Sequence, residues 1–209
     1  LLLACERRHI VKIEDKIDFN PNTAAAYVQI AFNLKLRDRY FEALNFARKM
    51  HLGQLRKYTG EPYITHPIEV ADLVETYLSS IAHYSDCVIL DAVLIAILHD
   101  TVEDTEATIE DIEETFGSNV AKGVWFLTKT PSFIGNRRTR KSMDESRLSK
   151  APNIVKIIKA FDMLHNRRSI KKYDPKFYKV FEAETKSLLK AMGIEVKNGI
   201  PFLVGYLKS

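Results

Sequence analysis

Apolar residues recur every three to four positions along most of the chain, while alternation of apolar and polar positions between turn signals is nearly absent. That period belongs to helices packed through one face, and it predicts an all-α fold. The stretches that carry it are 23–34, 37–52, 67–79, 86–102, 108–115, 118–127, 153–171 and 175–192. Start and stop signals support them. Pro67 and Pro175 suit first-turn positions, where a missing N–H costs nothing. Thr108 followed by Asp111 resembles a capping box with Asp in place of the usual Glu or Gln, and Gly117 and Gly193 are placed to end helices.

Two stretches depart from the pattern. Residues 56–67, RKYTGEPYITHP, read as a loop from their Gly and Pro content, and loops held on a rigid scaffold are where binding residues concentrate. Residues 130–152 hold Arg137, Arg138, Arg140 and Lys141 within five positions and few apolar anchors. They are expected to form a mobile surface segment. No internal repeat or linker separates two full domains, so the expected organisation is an extension over 1–22, one domain over 23–195 and a tail over 196–209.

The most informative pattern lies inside the 86–102 stretch. Val88 to Leu98 is apolar except for Asp91, and directly after it come His99, Asp100, Glu103 and Asp104. Ionisable groups at the end of a core helix are costly unless compensated. A divalent cation compensates them, because it neutralises carboxylates and accepts a neutral imidazole. On a continuous helix His99 stacks with Glu103 and Asp100 with Asp104, one turn further on. This offset would let His99 and Asp100 ligate while Glu103 and Asp104 serve as general base beside a Lewis acid.

Further ligands must come from elsewhere in the chain. His66, restrained by Pro67, is one. Asp162, in line with Val155, Ile158 and Asn166 on one side of a helix, is another, with pairing to Lys159 or Arg168 as the alternative reading. Two His and two Asp favour a metal that tolerates oxygen and nitrogen ligands: Mn²⁺ first, with Fe²⁺, Mg²⁺ and Zn²⁺ open. His9, His51, His83 and His165 read as structural or surface residues.

Composition adds limits rather than identity. The net charge of +4, with 28% charged and 46% hydrophobic residues, suits an anionic small molecule as well as weak nucleic-acid contact. The basic cluster lacks interleaved aromatic residues and no helix presents a basic recognition face, so a nucleic-acid partner is not expected. Cys5 and Cys87 form no CxxC pair, which points to a reducing, cytoplasmic setting. The opening LLLAC faintly resembles the end of a lipoprotein signal but lacks a charged region before it. No membrane-spanning segment is expected.

The runs Gln54 to Pro67, His99-Asp100-Thr101-Val102-Glu103-Asp104-Thr105 and Asp162 to Asn166, in this order, resemble the HD hydrolase domain of RelA/SpoT-type alarmone enzymes over roughly 37–192. The resemblance implies an HD-domain helical bundle and a manganese-dependent removal of the 3′-diphosphate from guanosine tetra- or pentaphosphate (ppGpp, pppGpp). By the resemblance, His66, His99, Asp100 and Asp162 would hold the metal, and Glu103 and Asp104 would activate or orient water. Arg56 and Lys57 would contact the nucleotide, with Arg56 on the base, and Asn166 would line the nucleoside pocket. The 137–141 cluster could meet phosphates, although a solvated surface loop is the expectation. Where the family commonly reads Lys-Leu-Ala-Asp-Arg-Leu-His-Asn, this chain has Phe161 and Met163 flanking Asp162, which bears on substrate preference. Fewer than fifty residues follow Asp162, so the resemblance is to a small stand-alone hydrolase. Adenosine alarmones or NADPH as substrate, and a degenerate alarmone-binding sensor, are the competing readings.

Overall fold

In the computed structural model, residues 21–80 and 84–193 are described, with side chains from residue 33 onward. Cys5, His9, His83, most of the expected 1–22 extension and the 196–209 tail lie outside them. The chain divides into two compact units, 1–35 and 36–209. Of the first, the described residues are the opening half of helix α1, Pro21–Met50, which runs without a break through the point where two shorter helices were expected.

The second unit is an all-helical bundle built around α3, Asp86–Leu98. Leu90 and every residue from Ala92 to Leu98 are buried, so this helix has no polar face over its last two turns. Such a helix must be covered on all sides. It is surrounded by α2, Thr65–Ser79, by α6, Ser118–Leu127, and by α8, Asn153–Tyr173. α2 contributes Val70, Val74 and Leu78, all with no exposure, and α8 contributes Ile158 and Phe161 likewise. α6 approaches through Gly123, where an added Cβ would stand 2.4 Å from Ile95 Cδ1. Only the absence of a side chain permits that distance.

The expected helix over 86–102 is interrupted at its chemically important point. α3 ends at Leu98, His99 and Asp100 form a turn, and a four-residue helix, α4, Thr101–Asp104, follows. The cause is competition for carbonyls. His99 Nδ1–H donates to Ala96 O at 2.7 Å, and Thr101 Oγ1 donates to Leu98 O at 2.7 Å. Side chains that take these acceptors replace the backbone N–H groups that would continue the helix.

α5, Ile109–Phe116, begins at the expected capping box, with Asp111 N–H donating to Thr108 Oγ1 and Thr108 N–H donating to the Asp111 carboxylate. α7, Arg137–Ser149, corrects the expectation of a mobile surface segment over 130–152. Asn136 Oδ1 caps its start by accepting from Thr139 N–H. Its anchor is polar: the buried Asp144 Oδ1 accepts from Thr130 N–H, Thr130 Oγ1 and Arg147 Nη2 at 2.7 to 2.9 Å. A hydrophobic count sees almost nothing here, because Leu148 alone supplies the buried apolar side chain. α9, Pro175–Ala191, packs against both α7 and α8 and starts with Asp174 as its cap. Among the described residues, no helix is long and apolar enough to cross a membrane.

Candidate metal centre and the cavity above it

Two helices and one turn converge on a single buried cluster. α2 supplies His66 from its first turn, the α3–α4 turn supplies His99 and Asp100, and α8 supplies Asp162. All four are buried, His66 and His99 almost completely. His66 Nε2 lies 3.2 Å from Asp162 Oδ1 and 3.6 Å from Asp100 Oδ2. His99 Nε2 lies 3.0 Å from Asp100 Oδ2 and 3.7 Å from Asp162 Oδ1. Potential ligand atoms of His66, His99 and Asp100 fall within 4.8 Å of one another, and Asp162 closes the fourth side.

The electrostatics of the cluster fit a cation. Both Nε2 atoms are buried without a hydrogen-bond partner of good geometry, and orphaned buried nitrogens are rare in folded proteins. Burial opposes charge on His99, but the Asp100 and Asp162 carboxylates overcome it and push its pKa up to about 10. Burial pulls His66 the other way, down from the ordinary imidazole value. Asp100 and Asp162 are held well below the carboxylate range despite burial, the first chiefly by His99 and the second chiefly by Lys159. Two carboxylates kept ionised beside two imidazoles, in a site nearly closed to water, form a donor set that a divalent cation satisfies.

Around the four residues the structure places partners that orient them. Lys159 Nζ donates to Asp162 Oδ2 at 2.7 Å, and Asn166 Nδ2 donates to Asp162 Oδ1 at 2.7 Å. The alternative reading of Asp162 as the partner of Lys159 therefore describes one of its oxygens, while the other faces the imidazoles. Asn166 Oδ1 in turn accepts from Arg56 Nη2 at 2.7 Å, and the Arg56 guanidinium lies 5.6 Å from the Tyr63 ring centre. Arg56 reaches this point because Gly60, at φ +73°, folds the 56–61 loop back on itself, with Gly60 N–H donating to Arg56 O. Lys57 is not brought in: it is exposed, with its ammonium beside the Tyr58 hydroxyl and ring.

Glu103 and Asp104 stand at the edge of the cluster on α4. Glu103 accepts from the Lys129 backbone N–H at 3.2 Å and forms an ion pair with the Lys129 ammonium. Burial raises its pKa above the ordinary carboxylate value, with Lys129 working against the shift. Asp104 is raised by burial and by the charge of Asp100. Sequence reading missed Tyr63, whose hydroxyl lies 2.6 Å from Asp100 Oδ2 and 3.1 Å from Asp104 Oδ2 and has one proton to give. Its position in the 56–67 loop was the available signal. His165, read as structural, lies 2.8 Å from His66 through its Nδ1.

The cluster opens into a cavity of about 410 Å³, whose lining includes Tyr63, Asp100, Asp162 and Asn166 at one end and Arg137, Arg140 and Lys141 of α7 elsewhere on its wall. Glu103 and Asp104 do not line it, but their partners Lys129 and Tyr63 do. Glu184 of α9 holds Arg137 through two hydrogen bonds of 2.9 Å and stands 3.4 Å from Lys141 Nζ. The basic cluster expected on a surface loop is thus on the wall of the same cavity as the His/Asp group.

An all-α domain that ends a core helix in His-Asp, and completes the group with a His and an Asp from neighbouring helices, has the architecture of a metal-binding helical hydrolase domain. The chain belongs to the HD domain family, whose model matches residues 43–191. It is 33% identical over 135 residues to the guanosine-3′,5′-bis(diphosphate) 3′-pyrophosphohydrolase MESH1 of Danio rerio, and 37% identical to that of Homo sapiens, in each case across 64% of this chain and 70% of the relative. It is also similar to a guanosine-3′,5′-bis(diphosphate) 3′-pyrophosphohydrolase of Haemophilus influenzae, 34% identical over 73% of this chain and 22% of that longer protein. Among solved structures it is similar to a metazoan ortholog of SpoT that hydrolyzes ppGpp, with a TM-score of 0.65 and 28% identity, covering 81% of this chain and 92% of the other.

Proposed function

We propose that this chain is a metal-dependent pyrophosphohydrolase that cleaves the 3′-diphosphate of ppGpp or pppGpp, consuming one water and releasing pyrophosphate with GDP or GTP. The observation that carries this reading is the pair of buried, unpartnered imidazole nitrogens facing two ionised carboxylates at the end of a basic-walled cavity. The similarity to curated hydrolases of the same compound supports the substrate.

In this reading His66, His99, Asp100 and Asp162 hold one divalent cation, Mn²⁺ by preference, with Fe²⁺, Mg²⁺ or Zn²⁺ as alternatives. Held there, a cation would supply Lewis-acid polarisation of the phosphate and of the attacking water. Glu103 would accept the proton of that water, its pKa raised by burial against the opposing charge of Lys129. Asp104 and Tyr63 orient the water through their shared hydrogen bond. Arg56 stacks on the base, and Asn166 fixes the nucleoside while keeping Asp162 in place. Arg137, Arg140 and Lys141 take the negative charge of the phosphates, with Glu184 giving up its hold on Arg137 as they bind. The domain is taken as 23–195 flanked by 1–22 and 196–209, in the cytoplasm, where the exposed free thiol of Cys87 is stable.

Purified protein given ppGpp with and without Mn²⁺, beside adenosine tetraphosphate alarmone and NADPH, tests the proposal. Manganese-dependent pyrophosphate release with GDP as co-product is the expected result. Preference for either other compound moves the substrate, and binding of ppGpp without turnover makes the domain a sensor.

A further inference from the structure

His66 has a different kind of support from its counterpart. The other ring nitrogen of His99 donates to a backbone carbonyl, Ala96 O, and a carbonyl can only accept, so in the neutral, metal-binding imidazole Nε2 is the lone pair, set by a fixed part of the main chain. The other nitrogen of His66 meets a second imidazole instead: His66 Nδ1 and His165 Nδ1 are 2.8 Å apart, with ring centres 4.7 Å apart. His165 Nε2 then lies 2.7 Å from Glu69 Oε2. Two helices make this chain possible by their spacing. His66 and Glu69 are three apart on α2, Asp162 and His165 three apart on α8, and each pair shares a face.

We propose that Glu69 and His165 are positioning residues that set the tautomer of His66 for metal binding. The assignment follows from donor and acceptor counting. An ionised carboxylate only accepts, so His165 places its proton on Nε2 toward Glu69. A neutral imidazole protonated there carries a lone pair on Nδ1, which can only accept from His66. His66 therefore donates from Nδ1, and its Nε2 is a lone pair directed at Asp162 Oδ1 and Asp100 Oδ2, 3.2 and 3.6 Å away. A lone pair facing carboxylate oxygens is repulsive unless a cation lies between them. The chain of bonds starts at an exposed carboxylate, since the Glu69 side chain is 56% exposed, and ends at a fully buried ligand. Orientation of a ligating His through its second nitrogen is a general device at metal centres; here it is routed through another imidazole to the protein surface.

The inference rests on the metal reading above, and Mn²⁺ binding to metal-stripped full-length protein tests the two separately. Titration calorimetry with Mn²⁺ alone is expected to show wild-type binding, a loss of about 10- to 100-fold for His165→Phe, and recovery of most of the affinity in His165→Gln, whose amide oxygen can accept from His66 Nδ1. Glu69→Ala, at an exposed position that threatens no core packing, is expected to weaken binding by about tenfold or less and to have no further effect in the His165→Phe background. The thermal midpoint of metal-free Glu69→Ala is expected to match wild type, which separates a positioning role from a structural one. Wild-type affinity in His165→Phe, or an equal Glu69→Ala loss in both backgrounds, overturns the relay. Failure of the wild-type protein to bind any Mn²⁺ overturns the metal reading and the relay with it.

Discussion

Behind the cavity wall formed by Asp100 and Asp162, the cluster of these two with His66 and His99 is less than a tenth exposed at every member and is delivered by helices that are otherwise mostly apolar where they meet. Elsewhere on that wall, Arg137, Arg140 and Lys141 ride on a helix with only Asp144 and Leu148 buried, tethered by Asn136, Thr130 and Glu184 through hydrogen bonds. The first region is held by packing, the second by polar contacts. Burial at the first makes each charge expensive and hence specific, because a group with no partner there destabilises the fold. Exposure at the second makes each charge cheap and exchangeable, as the proposed exchange of Glu184 for phosphate requires.

This contrast separates two kinds of damage. The double variant Arg137→Ala/Lys141→Ala is expected to raise KM for ppGpp by about 100-fold, from two charge-assisted contacts at about 1.5 kcal/mol each, with kcat and bound Mn²⁺ little changed. Steady-state kinetics over a range of salt checks it. The wild-type KM should rise with ionic strength and the variant's should rise less. A collapse of kcat with constant KM would instead tie the wall to the chemical step.

A smaller effect probes the join between the two regions. Lys129 opposes the upward shift that burial imposes on Glu103. A base must be ionised to accept a proton, so with Glu103 in the proposed role activity is expected to fall as pH drops through its pKa. Lys129→Met removes the opposing charge, raises that pKa further and should move the acid limb of the kcat profile to higher pH. An acid limb that stays in place would assign the base to another group.

The same contrast explains what could be read in advance. His99, Asp100 and Asp162 announced themselves because ionisable residues interrupt apolar runs, and His66 because a proline follows it. α2, α5, α6, α8 and α9 were legible from their period and caps. The break between α3 and α4 was not, since it depends on His99 and Thr101 side chains taking helix carbonyls. α7 was not legible either, because its anchor is the polar Asp144 rather than an apolar stripe. Tyr63, Lys129, His165 and Glu69 act only through partners far away in the chain, which periodicity does not report. Arg56 reached the site as expected and Lys57 did not, although they are adjacent.

The most direct test of the central claim, that one set of residues holds a cation while a neighbouring carboxylate moves the proton, is Mn²⁺ binding and turnover measured together for Asp162→Ala and Glu103→Gln. Asp162→Ala should lose bound Mn²⁺ and activity in parallel. Glu103→Gln should keep Mn²⁺ and ppGpp binding while kcat falls by about 10²- to 10⁴-fold. Wild-type Mn²⁺ affinity in Asp162→Ala, or near wild-type turnover in Glu103→Gln, would contradict the account.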